Sequence, residues 1–320
     1  MQKFISVDWG TSVLRIRLVD ANNMQVLAEV TNCMGISPTF DLWKQSGKPE
    51  DERLSFYQKI LIEEIKKLNE TINFQTNNLP IIISGMASSN IGMRNLPYKE
   101  CPFSTNGNDL NVEIIEATNN CKHSILLVSG ARTDNDVMRG EETQLIGSID
   151  NSEKEEQVFI LPGTHSKHAQ VKNSKVAGFK TYMTGEFFEL LTKKSILSNS
   201  VEKVDDLSNA GTLKSFEKGI ENSLHVNILN GSFQVRTNDL FKKLSKQENY
   251  CYLSGLLIGT ELKELNPHTS CTIVCDEMIR KFYNAALRKL NITKVKYFEA
   301  VNAVIKGHCI FFNLYKSKLI

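Results

Sequence analysis

A short apolar strand that runs into a Gly-Thr turn, followed by a second strand, occurs twice in this chain. The first copy contains Ser6-Val7-Asp8-Trp9-Gly10-Thr11-Ser12, and the second contains Leu161-Pro162-Gly163-Thr164-His165-Ser166-Lys167. A strand pair follows each turn, as expected for a repeated strand-turn-strand unit. The repeat predicts two related domains that face each other across a cleft.

Length and charge agree with two domains and a small-molecule partner. The chain has 320 residues, of which 41% are hydrophobic, and 38 basic residues balance 36 acidic ones to a net charge of +2. Such a balance favours neither nucleic acid nor an anionic membrane as a partner. We predict domains at 1–150 and 156–320, separated by the charged linker at 150–156. An open alternative is that the terminal helix packs back on the first domain.

The sequence also predicts a soluble cytoplasmic protein. Its first residues run directly into a strand, and no apolar run approaches the roughly 18 residues of a membrane helix. Seven cysteines occur without a Cys-x-x-Cys pair. We interpret them as reduced thiols in the core.

Alternating strand and helix patterns predict an α/β protein. Residues 4–8, 13–19 and 24–31 are predicted to form an antiparallel meander, and the period of 52–68 predicts an amphipathic helix. Further strands are predicted at 80–83, 112–117, 125–128, 158–161, 169–171, 175–183, 271–275 and 295–298. Further helices are predicted at 137–149, 253–262, 277–290 and from 300 to about 314.

The two Gly-Thr turns have the composition of phosphate-binding turns. Backbone N–H groups and hydroxyls at Gly10-Thr11-Ser12 and at Gly163 to Ser166 can surround phosphate oxygens, and glycine permits close approach. Asp8, at the end of the preceding strand, is suited to Mg²⁺. A plain hairpin with a capping aspartate is the alternative for the first turn. The chain has no P-loop and no Gly-x-Gly-x-x-Gly motif.

Several longer motifs resemble the 2-keto-3-deoxygalactonokinase (2-dehydro-3-deoxygalactonokinase) family. They are Val7-Asp8-Trp9-Gly10-Thr11-Ser12-x-x-Arg15, Ser84-Gly85-Met86, Pro97-Tyr98, Asp136-Val137-Met138-Arg139-Gly140-Glu141-Glu142-Thr143-Gln144, Leu161 to Lys167, Met183-Thr184-Gly185-Glu186 and Tyr283-Asn284-Ala285-Ala286-Leu287. The resemblance covers nearly the whole chain. Two departures are His168, where family members often carry tryptophan, and 272–277, where the superfamily usually has a glycine pair near the adenosine.

The resemblance implies a fold and a reaction. The family belongs to the sugar kinase, Hsp70 and actin superfamily, in which two ribonuclease H-like domains (the actin-like ATPase fold) face a central cleft and close over ATP and substrate. Its members transfer phosphate from ATP to the 6-hydroxyl of 2-dehydro-3-deoxy-D-galactonate, in galactonate catabolism. The implied cofactors are ATP and Mg²⁺.

The resemblance also implies roles for individual residues. Asp136 is implied to be the general base, with a plain helix N-cap as the alternative. Arg139 is suited to the carboxylate of an aldonic acid, with a surface salt bridge as the alternative. Metal binding is expected at Asp8, and ATP or phosphate binding at Gly10, Thr11, Ser12, Arg15, Gly163, Thr164, His165, Ser166 and Lys167. Substrate binding is expected at Ser84, Gly85, Met86, Arg139, Glu141, Glu142, Thr184 and Glu186.

Other readings stay open at this point. Glu141 and Glu142 are suited equally to substrate or metal contact and to a favourable interaction with the helix dipole. The segment Thr184 to Glu186 is suited equally to a sugar hydroxyl contact and to a simple capped helix start. His165 and His168 lie on a turn and a strand, which disfavours a zinc site. A kinase for another sugar or sugar acid, or an ATP-gated binding or regulatory protein, is the alternative function. No nucleic acid or membrane partner is expected, and a homodimer is left open.

Overall fold

The computed structural model describes residues 2–72, 74–150 and 155–320. Within these ranges the strands are β1 (Lys3–Trp9), β2 (Leu14–Asp20), β3 (Gln25–Asn32), β4 (Ile81–Gly85), β5 (Lys99–Glu100), β6 (Phe103–Ser104), β7 (Val112–Ile115), β8 (Ile125–Val128), β9 (Ala131–Arg132), β10 (Val137–Met138), β11 (Gln157–Leu161), β12 (Ser166–Lys172), β13 (Lys175–Tyr182), β14 (Ser270–Cys275) and β15 (Val295–Glu299). The helices are α1 (Ile36–Gln45), α2 (Arg53–Glu70), α3 (Glu141–Ser148), α4 (Thr184–Lys194), α5 (Ala210–His225), α6 (Ile228–Leu240), α7 (Lys246–Leu262), α8 (Glu277–Lys289) and α9 (Ala300–Leu319).

The chain divides into two compact units. Unit 1 comprises Met1–Lys154, Lys172–Gly178 and Ala300–Ile320, and unit 2 comprises Glu155–Val171 and Phe179–Glu299. Part of the predicted linker, residues 151–154, lies outside the described residues.

Unit 1 is built on a six-stranded sheet in the order β3-β2-β1-β4-β8-β7. The strands β1 to β3 form the predicted antiparallel meander, and β4 and β8 continue the sheet in parallel with β1. Helix α2 buries Tyr57, Leu61, Ile65 and Leu68 in a core that includes the sheet residue Val7. The predicted amphipathic helix is confirmed, and burial of its apolar side chains stabilises this layer.

Two glycines allow α9 to pack closely on α3 within unit 1. A Cβ at Gly147 would lie 1.9 Å from the Ala303 carbonyl oxygen, and one at Gly307 would lie 2.3 Å from the Thr143 carbonyl oxygen. Neither site has room for a side chain without a shift of backbone. The terminal helix is therefore an integral layer of unit 1.

Unit 2 repeats the strand arrangement of unit 1. Its strands are ordered β15-β14-β11-β12-β13, as five of the six strands of a sheet whose last strand is β6. In it β11 and β12 are antiparallel, and β14 and β15 run parallel to β11. The same pattern of a meander followed by two parallel strands is found in β3-β2-β1-β4-β8. The repeated turn motif thus corresponds to a repeated sheet. Helices α5, α7 and α8 supply most of the unit's apolar core.

One predicted helix start is wrong. The amphipathic pattern predicted a helix from residue 137, but Val137 and Met138 form β10, which pairs with β9. Helix α3 begins at Glu141, and its N-cap is Gly140, whose φ of 109° interrupts any helix from further upstream. Asp136 is therefore not a helix N-cap.

The cysteines only partly follow the prediction. All seven are free thiols and five are buried, but Cys33 is exposed and Cys101 is half-buried. Burial raises the pKa of the Cys251 thiol to about 12, so it is neutral and unreactive. Across the described ranges, no helix is both long and apolar enough to cross a bilayer.

Candidate functional site

The first predicted phosphate turn lies at the end of β1 in unit 1. Asp8 faces Arg15 across the β1–β2 ladder, and Arg15 donates from Nη1 to Asp8 Oδ2 over 3.0 Å. The Asp8 side chain is 19% exposed, so a carboxylate oxygen remains within reach of solvent. The geometry provides an anionic oxygen donor, held in place by a cation, beside the turn.

The turn itself is braced by the start of α1. Gly10 donates its N–H to the Val13 carbonyl, and the carbonyls of Gly10 and Thr11 accept from Ile36 and Ser37. The side chains of Thr11 and Ser12 are exposed. The turn is thus fixed through its backbone, while its hydroxyls face solvent.

Ser84, at the end of β4, lies beside Asp8 and is fixed by a buried histidine. Asp8 and Ser84 are register partners in the parallel β1–β4 pair. His308 of α9 bonds through Nε2 to Ser84 Oγ at 2.9 Å and through Nδ1 to Ser6 Oγ at 2.7 Å. Burial, together with the charge of Arg17, lowers the pKa of His308 to about 3. The histidine is therefore neutral and acts as a fixed link between β1, β4 and α9.

Two glycines with positive φ bring three segments of unit 1 together. Gly85 has a φ of 95°, and a Cβ there would lie 2.6 Å from the Trp9 carbonyl oxygen. A Cβ at Gly140 would lie 3.2 Å from the Gly85 Cα. The end of β1, the 84–86 turn and the start of α3 therefore meet at one place.

Arg139 is held in one orientation beside this place. Its Nη1 donates to Ser88 Oγ over 2.7 Å and to the Ser88 carbonyl, and its guanidinium carbon lies 4.1 Å from the centre of the Tyr98 ring. Within the described ranges, these contacts of Arg139 are with a serine and an aromatic ring; carboxylate binding by Arg139 stays a prediction. A half-buried guanidinium that is fixed by a ring and a serine is a preorganised anion partner.

Glu141 and Glu142 both reach back to backbone groups at the start of α3. Glu141 Oε2 accepts from the Arg139 N–H at 2.9 Å, and Glu142 Oε2 accepts from the Gly140 N–H at 2.7 Å. Glu142 is fully buried, and burial, followed by the charge of Glu141, raises its pKa to about 7. These contacts give both acids a role at the helix start. Substrate contact by either stays a prediction.

Asp136 lies on a tight turn between β9 and β10. Its N–H donates to Thr133 Oγ1 at 3.0 Å, and its carbonyl accepts from the Thr133 N–H at 2.9 Å. The residue is half-buried. The β10 strand places it only three residues from Arg139. Its role as general base stays a prediction.

The second predicted phosphate turn lies in unit 2, against the start of α4. Gly163, Thr164 and His165 are exposed. The Glu186 N–H donates to the Thr164 carbonyl over 3.0 Å, and a Cβ at Gly185 would lie 2.5 Å from the Gly163 carbonyl oxygen. The turn and the helix start are thus in direct backbone contact. A helix N-terminus beside a glycine turn is a favourable environment for an anion.

The polar side chains around this turn already have partners. His165 Nε2 lies 2.5 Å from Glu186 Oε2, and the buried Lys167 donates to the His165 carbonyl over 3.1 Å. Ser166 and Thr184 both donate to Glu261. Direct phosphate or sugar contacts by these side chains stay predictions.

Sequence reasoning missed Glu261, which lies on α7. Its signal is a single acid within the otherwise apolar end of that helix, Leu256-Leu257-Ile258-Gly259-Thr260-Glu261-Leu262. It is 2% exposed. An acid in such a run is stable only when several donors surround it.

A cavity of about 330 Å³ opens in unit 2 beside the second turn. Its lining includes residues of the turn and of the α4 start. The rest of the lining is mostly apolar, with Lys203 and Ser254 among its polar members. The lining residues are Pro162, Gly163, Thr164, Thr184, Gly185, Phe188, Lys203, Val204, Tyr250, Ser254, Leu257, Ile258, Met278, Ile279, Phe282 and Tyr283. This mixture of apolar side chains with a glycine turn and a helix start is compatible with a ligand that has both an apolar and an anionic group.

Only a sparse protein ligand set is available for a metal. Over the described residues, no group of three or more His, Cys, Asp and Glu side chains is arranged to hold an ion. Mg²⁺ commonly binds through one or two carboxylates, with phosphate and water completing its shell. Asp8, a partly exposed carboxylate beside a Gly-Thr turn, fits that pattern.

Comparison with known families and proteins gives one consistent result. A family model for 2-keto-3-deoxy-galactonokinase matches residues 8–310. The 2-dehydro-3-deoxygalactonokinase of Escherichia coli (strain K12) is 27% identical over 322 residues, which cover 95% of this chain and 97% of that protein. A probable 2-dehydro-3-deoxygalactonokinase of Rhizobium meliloti (strain 1021) is 30% identical, and the match covers 94% of each chain.

Solved structures show the same fold. A Sinorhizobium meliloti protein that bears the same enzyme name provisionally has a TM-score of 0.78 and 26% identity, covering 98% of this chain and 97% of its own. The activator of 2-hydroxyisocaproyl-CoA dehydratase from Clostridium difficile, solved with bound ADPNP, has a TM-score of 0.51 at 10% identity and covers 99% of this chain and 97% of its own. The predicted fold class, two ribonuclease H-like domains of the actin-like ATPase type, is confirmed.

Proposed function

Since the chain belongs to the 2-keto-3-deoxy-galactonokinase family, we propose that its two units divide one kinase reaction between them. The chain is a carbohydrate kinase that transfers the γ-phosphoryl group of ATP to the 6-hydroxyl of 2-dehydro-3-deoxy-D-galactonate. The products are the 6-phosphate ester, ADP and the hydroxyl proton. In our proposal unit 2 binds the nucleotide, and unit 1 binds the sugar acid and the metal and accepts the proton.

The observation that carries this proposal is the unit 2 cavity. Its apolar end, with Tyr250, Met278 and Phe282, would take the adenine ring, and its other end would take the phosphates. The Gly163–Thr164 turn and the start of α4 are in contact at Gly185, and in our proposal backbone N–H groups of both segments would donate to the phosphates. The predicted departure at 272–277 does not prevent this, because α8 supplies apolar contacts directly after it.

In unit 1, Asp8 would hold Mg²⁺ beside the Gly10-Thr11-Ser12 turn. The ion neutralises charge on the transferred phosphoryl group when it is bound. Arg15 Nη1 lies 3.0 Å from Asp8 Oδ2, which restricts the position of that carboxylate. Thr11 and Ser12 present exposed hydroxyls there for a phosphate oxygen.

The sugar acid would lie where the 84–86 turn meets the start of α3. Arg139, fixed by Ser88 and Tyr98, would pair with the substrate carboxylate. Asp136, three residues away, would take the proton from the 6-hydroxyl as it attacks phosphorus. Because ATP is a cytosolic substrate and five of the thiols are buried and free, we place the reaction in the cytoplasm.

A substrate screen tests this function. Purified protein with Mg-ATP is offered 2-keto-3-deoxy acids, aldonates and neutral hexoses, while ADP release is followed and the phosphate ester is located by NMR. We expect 2-dehydro-3-deoxy-D-galactonate to be phosphorylated at C6, and neutral sugars of the same length to react about tenfold to a hundredfold less well, since they lack the charge-assisted contact. Equal rates on a neutral hexose would favour a kinase for another sugar. Binding of ATP without phosphoryl transfer to any of these compounds would favour an ATP-gated binding or regulatory protein.

A further inference from the structure

Glu261 carries a concentration of hydrogen bonds that the proposed function leaves unexplained. Its Oε1 accepts from Ser166 Oγ at 2.7 Å and lies 2.9 Å from His168 Nε2. Its Oε2 accepts from Tyr283 Oη at 2.9 Å and also from Thr184 Oγ1. The side chain is almost completely buried, so these four groups replace the water that an exposed carboxylate would have.

The four partners lie on, or directly after, segments that line the unit 2 cavity. Ser166 and His168 begin β12 directly after the Gly163–Thr164 turn, Thr184 is the first residue of α4, and Tyr283 lies on α8. Thr184 and Tyr283 also line the cavity, whereas Glu261 does not. The carboxylate therefore joins the walls of the cavity from behind, without facing its interior.

We propose that Glu261 is a positioning residue for the nucleotide phosphates. By holding Ser166 and Thr184 on one carboxylate, it fixes the distance between the Gly163–Thr164 turn and the N-terminus of α4. Backbone N–H groups of both segments would donate to the same phosphates. A shift of either segment would therefore weaken phosphate binding. This inference rests on the proposed function, because it takes the cavity to be the nucleotide site.

A carboxylate is required at this position because its partners act as donors. An ionised glutamate accepts on both oxygens, whereas glutamine accepts on one and donates from the other. In Glu261→Gln, the hydroxyls of Thr184 and Tyr283 can turn to accept, so the variant is expected to fold. In the variant, the amide N–H groups donate to Thr184 and Tyr283, whereas in wild type these two hydroxyls donate to the carboxylate. The start of α4 is then no longer held by an acceptor.

The test compares Glu261→Gln with Glu264→Gln, a matched change three residues further along the chain. Glu264 is exposed, and its carboxylate accepts hydrogen bonds from Lys180 and Tyr182. ADP binding is measured by calorimetry, and the KM values for ATP and for the sugar acid are measured separately, with the melting temperature of each variant. We expect Glu261→Gln to weaken ADP binding and to raise the KM for ATP about tenfold, with the sugar-acid KM changed less than about twofold. Glu264→Gln should match wild type.

A second variant keeps the inference testable if Glu261→Gln does not fold. Ser166→Ala removes one buried donor with little change of volume, and it should weaken ADP binding several-fold. The double variant should weaken ADP binding by less than the product of the two single effects, because both act through one contact. Unchanged ADP affinity in both single variants, or equal rises in both KM values, would overturn the positioning role. Failure of wild type to bind ADP at all would instead overturn the proposed function.

Discussion

Glu142 is a buried acid whose ionisation works against the folded state. Burial, and then the charge of Glu141, raises its pKa from the usual 4.5 to about 7. The folded protein therefore holds the proton more tightly than the unfolded chain between these pH values. The contribution of Glu142 to stability is fully present below pH 4.5 and is lost as the pH rises to about 7.

Replacing Glu142 with glutamine should remove this pH dependence. In wild type we expect the free energy of unfolding of unit 1 to fall by an amount on the order of 3 kcal/mol between pH 4.5 and 7.5 because of this group. In Glu142→Gln that part of the decline should be absent, while the amide still accepts from the Gly140 N–H. Urea unfolding across the pH range checks it. Glu116→Gln, at an exposed acid, should keep the decline, and a wild-type slope in Glu142→Gln would contradict the expectation.

Asp8 allows a test of the metal role at a single atom. In Asp8→Asn, the amide oxygen can still accept from Arg15, and because that pair is partly exposed its loss should change the melting temperature little. A neutral amide is a poorer ligand for Mg²⁺. We expect turnover to fall by about 10²-fold or more, with a higher Mg²⁺ concentration needed for half-maximal rate. A wild-type magnesium titration curve in the variant would rule out Asp8 as the ligand.

At the scale of elements, contact between the second turn and α4 depends on one glycine. A Cβ at Gly185 would lie 2.5 Å from the Gly163 carbonyl oxygen and 2.8 Å from the Thr164 Cα. Both are backbone atoms that cannot rotate away. Gly185→Ala should therefore push the turn from the helix start and weaken ADP binding about tenfold or more, because the two anion-binding segments no longer converge.

The control for Gly185→Ala is an alanine placed where there is room. A Cβ at Gly178 would lie 4.0 Å from its nearest neighbour, the Thr133 Cγ2, so Gly178→Ala should leave ADP affinity unchanged. Calorimetric titration with ADP compares the two. Wild-type affinity in Gly185→Ala would mean that the turn does not contribute to nucleotide binding.

Element boundaries show what sequence patterns can predict here and what they cannot. The meander, α2 and α8 have strong apolar periods, and each lies within a few residues of its predicted position. The predicted start of α3 is wrong for two reasons. Val137 and Met138, which fit a helical pattern, pair with β9, and Gly140 adopts a φ of 109°. Tertiary pairing and a positive φ leave no periodic signal.

At the scale of the whole molecule, the repeated turn motif predicted the repeated sheets, because each copy begins the same strand arrangement. The sequence did not predict that the short segment Lys172–Gly178 counts with unit 1. A lone acid in the apolar end of α7 is the only sign of Glu261 in the sequence, and its four partners are brought together only by tertiary structure. The motifs predicted which segments carry the candidate site, whereas side-chain partners such as His308 for Ser84 required the fold.

Division of the reaction between the units leads to a prediction for Asp136. Asp136 belongs to unit 1, whereas the proposed nucleotide cavity is lined by unit 2 alone. A change at Asp136 should therefore affect phosphoryl transfer and leave ADP binding near wild type. Stability should also change little in Asp136→Asn, because Gly140, not Asp136, is the N-cap of α3.

The size of the effect follows from the role of a base. An amide cannot accept the 6-hydroxyl proton, so kcat should fall by roughly 10²–10⁴-fold, and toward the lower end if the transition state is loose. Initial rates, ADP calorimetry and melting temperature are measured on the same preparation, with Asn135→Ala on the same turn as control. A kcat that drops less than about threefold, at unchanged melting temperature, would exclude Asp136 as the base. Glu141 and Glu142 would then be the next acids to substitute, because they lie at the same end of α3.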